Sequence, residues 1–155
     1  MAEGRRPETG EALDARRLQR RESRANQTYV AFLEDLCRIG SMAPEFAEPA
    51  AVSVLCALEQ RLIPEEAKDL EAQLPIKLLN LLTRCERHRD TAPVKYTREQ
   101  LLEKVALDLN MKPDEAEPII RAVFATLREH VSEGEIEDVI NMLPRDFQDL
   151  WQRPI

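Results

Sequence analysis

At 155 residues, 43% apolar and 33% charged, the chain has the material of one soluble globular domain, enough to bury roughly two-thirds of its unfolded surface. Only 4 Gly and sparse β-branched residues, set against abundant Leu, Ala, Glu and Arg, favour helix throughout, and no stretch approaches the roughly 20 uninterrupted apolar residues of a membrane span. The net charge of −7 is uneven: residues 1–27 hold seven Arg against five acids and the remainder 15 basic against 24 acidic groups, so an acidic body with a basic arm is poorly suited to grip nucleic acid through its core.

The N-terminal run MAEGRRPETGEALDARRLQRR has no apolar centre and does not read as a secretory signal. Three scattered cysteines fit a reducing compartment better than a disulfide framework, so the expected location is the cytoplasm. Residues 1–11 are polar and hold Gly4, Pro7 and Gly10, and fixed structure is not expected there. From Glu11 to Ala25 the composition turns helix-prone, predicting a helical arm only marginally stable alone. On such a helix Arg16, Arg17, Arg20, Arg21 and Arg24 fall within an arc of about 140°.

Near Asn26 or Thr28 a first apolar stripe opens: Tyr29, Phe32, Leu33, Leu36 and Ile39, ending at Gly40. A second helix follows Met42, with Pro44 suited to a first helical position. Pro49, five residues on, marks either the true start of that helix or a kink in it. A third helix begins at Pro64 and buries Ala67, Leu70 and Leu74. Leu74-Pro75 then breaks the chain and restarts it as a fourth helix to about Arg87. HRDTAPVKYT is a polar linker, after which Thr97-x-x-Gln100 forms a capping box and the stripe recurs as Leu101, Leu102, Val105 and Leu109. Pro113, Pro118, a second candidate box at Ser132-x-x-Glu135, and Leu143-Pro144 repeat the remaining punctuation.

This recurrence is a register. A shift of 69 residues brings 14 identical pairs into coincidence between positions 29 and 82 without a gap, three of them prolines. The expected fold is all-α: two tandem, roughly four-helix modules packed with pseudo-two-fold symmetry, plus an N-terminal helical arm. The expected limits are 1–25 for the arm, 26–86 for the first module, 87–96 for the linker and 97–155 for the second module, in one joint globular domain.

The strings AVSVLCALEQRLIPEEAKDLEAQLP (51–75) and VFATLREHVSEGEIEDVINMLPRDFQDLW (123–151) resemble the two halves of a bacterial all-helical family, domain of unknown function 2267. The likeness rests on a repeated Ala-Val-Leu-x-x-Leu helix, a Glu- and Ala-rich helix, then Leu-Pro. It includes the pair Gly134-Glu135 and the closing aromatic Trp151. It covers about residues 28–152 and implies the helical fold. It brings no activity and no catalytic residues. The chain departs in lacking an aromatic-rich segment after the first Leu-Pro and in carrying the basic arm.

Chemical motifs are scarce. A hydrolytic metal site needs three or four converging ligands, and the chain has two histidines; Cys85 and His88 lie i, i+3 without a third partner. Cys37 and Cys56 fall on apolar stripes, whereas Cys85 sits among Arg84, Arg87, His88 and Arg89 and is the candidate reactive thiol. Paired carboxylates such as Glu65-Glu66 read as the wet faces of amphipathic helices. No phosphate loop or nucleophile elbow occurs. The expectation is a non-enzyme without cofactor, metal or small-molecule substrate. It is read as a helical scaffold or adaptor for a protein partner, self-association included, with Arg16, Arg17, Arg20, Arg21 and Arg24 as the partner-binding residues. The alternative is a nucleic-acid-associated protein using the same arginines.

Overall fold

The computed structural model describes residues 10–82 and 94–152, and every regular element among them is helical. Helix α1 spans Gly10–Gly40, α2 Pro44–Arg61, α3 Pro64–Glu71 and α4 Ile76–Leu82. After the linker come α5 Arg98–Leu109, α6 Pro113–His130, α7 Glu133–Met142 and α8 Arg145–Gln148, closed by a 3-10 turn at Asp149–Trp151. The chain belongs to the all-α class. None of these helices is long and apolar enough to cross a membrane.

The 69-residue register is visible in the element boundaries. α2 and α6 are both 18 residues long and both start on a proline at the first helical position, where its missing N–H leaves no bond unmade. Each continues through its second proline rather than starting there. Pro49 and Pro118 are exposed, as are Glu45 and Asp114 four residues before them, so the carbonyls they leave unbonded are solvated. α3 and α7 start at equivalent positions, as do α4 and α8. α1 and α5 also end alike, Ser41 and Asn110 each holding the left-handed conformation (φ 49° and 54°). The next amides, of Met42 and Met111, reach back five residues to Cys37 O and Ala106 O. Gly40 does not supply the left-handed turn expected of a glycine at a helix end. It makes room for α6, since a Cβ added there would lie 2.9 Å from Ala122 Cβ. Ser41→Gly relieves the left-handed penalty at Ser41 and is expected to raise stability by about 1 kcal/mol, read as a higher urea midpoint at unchanged slope.

Packing is reciprocal between the halves: α1 lies on α6 and α5 on α2, while α2 meets α6 and α3 meets α7. One contiguous apolar interior results, holding Phe32, Leu36 and Leu55 from the first half with Leu101, Phe124 and Leu127 from the second. Repeated polar residues brace it. The Tyr29 hydroxyl donates to Glu48 Oε2, and at the equivalent positions Arg98 Nη2 donates to Glu117 Oε1. Each pair ties the first helix of its half to the second. Arg121 adds a 3.0 Å contact to Asp149, and His130 Nε2 lies 2.7 Å from Asp35 Oδ2, fastening α6 to the C-terminal turn and to α1. That contact with His130 is the chief reason the Asp35 carboxyl stays below the usual carboxylate range. Trp151, 2% exposed, stacks on Phe124 with centroids 4.0 Å apart and planes 6° from parallel.

α1 is one uninterrupted 31-residue helix, about 46 Å long, so no break separates the arm from the first stripe at residues 25–26. Its second part is packed, whereas none of the described side chains of residues 10–28 is buried. The packed half supplies the nucleus that an isolated arm would lack, and the exposed half extends it by propagation alone.

Candidate functional site

Two constellations carry chemistry. The first is the arm. Arg16, Arg20 and Arg24 stand one turn apart and, with Gln19, Ser23 and Gln27, line one shallow trough along α1. Arg17 and Arg21 are exposed on the adjoining strip and do not line it. No ion pair among the described residues engages Arg17, Arg20, Arg21 or Arg24. Three arginines of the body meet carboxylates, Arg38 with Asp35 and Glu129, Arg98 and Arg121 with Glu117 and Asp149, while Arg61 and Arg128 donate to the Val94 and Trp151 carbonyls. Leu18 lies 57% exposed on the arm, giving the strip an apolar flank.

The second constellation lies where α3 meets α7 and was not anticipated from the sequence. Glu66 and Glu135 occupy the third helical position of their helices, 69 residues apart. Neither sits on a wet face: they are 7% and 9% exposed. At Ser132 only half of the expected capping box forms. Its Oγ accepts the Glu135 amide, while the Glu135 carboxyl turns inward to Glu66 instead of back to the Ser132 amide. Burial first, and then the hydrogen bond and charge of Glu66, raise the Glu135 carboxyl to about 7, with Asp69 and Asp138 adding to the effect. Asp69 and Asp138 follow their glutamates by three residues, the spacing that places i and i+3 on one helix face. Oxygens of Glu66, Glu135 and Asp138 lie within 4.8 Å of one another. The signal was present in the sequence, because positions 66 and 69 are both among the identical pairs of the repeat.

Of the cysteines, Cys56 is buried and Cys37 half-buried, both within the apolar interior, as their stripe positions predict. Cys85 and its neighbour His88 lie outside the described residues.

A family model for an uncharacterized conserved protein, DUF2267, matches residues 29–150. No curated protein matches the chain. The match begins at Tyr29, where α1 first meets the core, so the acid seam lies inside it and the arm outside.

Proposed function

Because the chain belongs to this family of uncharacterized conserved proteins, whose description names no activity, we propose its function from its own surface: a non-enzymatic helical scaffold, cytoplasmic, that binds an acidic protein partner through its arm. The observation supporting this is the strip on α1 where Arg17, Arg20, Arg21 and Arg24 meet no carboxylate among the described residues, while the chain outside residues 1–27 is acidic. Fixing an arginine on a preformed helix lowers the ordering cost of each ion pair it makes with a partner. The acidic body also makes a second copy of this chain one partner of suitable charge.

Phosphates are the second reading, favoured by the Gln and Ser side chains interleaved with Arg16, Arg20 and Arg24 along the trough. Aromatic side chains are missing from the arm, which argues against stacking on single-stranded bases.

Fluorescence anisotropy with labelled poly-L-glutamate and with a labelled 20-base-pair duplex separates these readings. Wild type is expected to bind polyglutamate. The variant with Arg16, Arg17, Arg20, Arg21 and Arg24 all replaced by Ala is expected to lose at least roughly ten-fold in affinity, equivalent to about 1.4 kcal/mol. Duplex binding that exceeds polyglutamate binding, with a log–log salt slope of about −0.9 per phosphate, would favour the second reading. Equal behaviour of wild type and variant on both probes would remove the arm as a tether. Sedimentation of the same two proteins at low salt reads self-association.

A further inference from the structure

The acids between α3 and α7 pose a problem that the described residues do not solve. Glu66 and Glu135 are more than nine-tenths buried, and Oε1 of each is sealed from solvent without a hydrogen-bond partner among the described residues. Buried polar atoms in folded proteins nearly always have partners, and each exception calls for a cause. No ion pair among the described residues involves Glu66, Asp69, Glu135 or Asp138. A proton shared between the two glutamates joins one oxygen of each and still leaves a negative charge on the pair. Asp138 brings a third carboxylate to the same point.

A cation satisfies all of them together. Three oxygens mutually within 4.8 Å share a point no farther than about 2.8 Å from each, close to the roughly 2.3–2.6 Å of calcium–oxygen bonds. The donors are all carboxylate oxygens, with neither imidazole nor thiolate, which selects hard cations over zinc or copper. Magnesium demands shorter bonds and keeps its waters, and two of the three donors here are buried. We propose that Glu66, Glu135 and Asp138 bind one of the larger hard divalent cations, calcium or manganese, at the seam between α3 and α7, with Asp69 adding negative charge beside it. One ligand comes from the first half of the repeat and two from the second, so the ion clamps the halves together at the ends of their third helices.

The test is calorimetric and thermal titration of chelator-stripped, full-length protein with CaCl2, MnCl2 or MgCl2, against NaCl at matched ionic strength. One equivalent of calcium or manganese is expected to bind and to raise the melting temperature. Asp138→Asn and Glu66→Gln, isosteric changes that leave the fold intact by circular dichroism, are expected to weaken binding by roughly ten-fold or more. Glu137→Gln, on the exposed side of α7, is expected to bind as wild type does. No heat and no thermal shift beyond the NaCl control would overturn the site. So would an undiminished response in Asp138→Asn, and tighter binding of MgCl2 would overturn the size argument.

Discussion

Replacing Trp151 with alanine is expected to remove about 3–5 kcal/mol of stability, a large share of the roughly 5–15 kcal/mol available to a domain. The side chain is 2% exposed and lies flat on Phe124, itself fully buried at the middle of α6. Arg128 covers the indole from another side, its guanidinium carbon 6.0 Å from the ring centroid, while its Nε donates to the Trp151 carbonyl. Truncation therefore opens a cavity between α6 and the C-terminal turn that neither rigid neighbour can fill. Trp151→Phe keeps the stacked ring and removes an indole N–H buried without a partner among the described residues, so its cost is expected to be nearer about 1 kcal/mol. Far-UV circular dichroism in urea is the appropriate readout, because the only tryptophan disappears in both variants. A loss below about 1 kcal/mol for the alanine variant would mean that the C-terminal turn is peripheral to the fold.

With divalent ions chelated, stability is expected to fall as pH rises from 5 to 8. The Glu135 carboxyl lies at about 7 in the folded protein, against 4.5 for an ordinary glutamate. The folded state therefore holds a proton that the unfolded state has released, and between those two values unfolding gives that proton up. Stability is complete below pH 4.5 as far as this group is concerned, and is progressively lost as pH passes through 7. The shift corresponds to roughly 3 kcal/mol. Glu135→Gln is neutral at every pH and still offers an N–H to Glu66. It should flatten this dependence and be more stable than wild type at pH 8. Urea midpoints at pH 5, 6, 7 and 8 in a chelating buffer measure both effects. A wild-type midpoint flat across this range, or a Glu135→Gln variant with the same slope, would show that Glu135 ionises as a solvated carboxylate does.

How far the sequence predicted this molecule depends on the kind of contact concerned. Helix existence and most boundaries were legible because they follow from local rules: proline at a first helical position, a capping box at Thr97-Gln100, apolar residues at helical spacing. Passage of α2 and α6 through Pro49 and Pro118 was not, since tolerance of an interior proline depends on whether the orphaned carbonyl meets water. Gly40, where the first stripe ends, meets a related limit. A glycine at a helix end signals a left-handed turn, but the approach of Ala122 from α6 is a tertiary fact, and Ser41 takes the turn instead. The division at residues 25–26 follows the onset of the apolar stripe, and α1 runs through it because backbone hydrogen bonding does not register burial.

The acid seam shows the same limit most sharply. Judged within one helix, Glu66 and Glu135 look like ordinary acids in a first turn, where the helix dipole favours them. Only the meeting of α3 with α7 turns two favourable surface positions into one buried pair. The repeat carried a clue, because Glu66/Glu135 and Asp69/Asp138 are both identical in register, three residues apart on one helix face.

The unbroken run of α1 from Gly10 to Gly40 has a practical corollary. Excised as a synthetic peptide, the arginine segment 11–25 would forfeit its anchored end and revert largely to coil, because an isolated helix of about fifteen residues is marginal in water. The arginines would then lose their fixed spacing, and a free peptide would compete weakly with the intact protein even where both carry the same charges. Grafting the segment onto the end of another well-anchored helix would preserve that spacing.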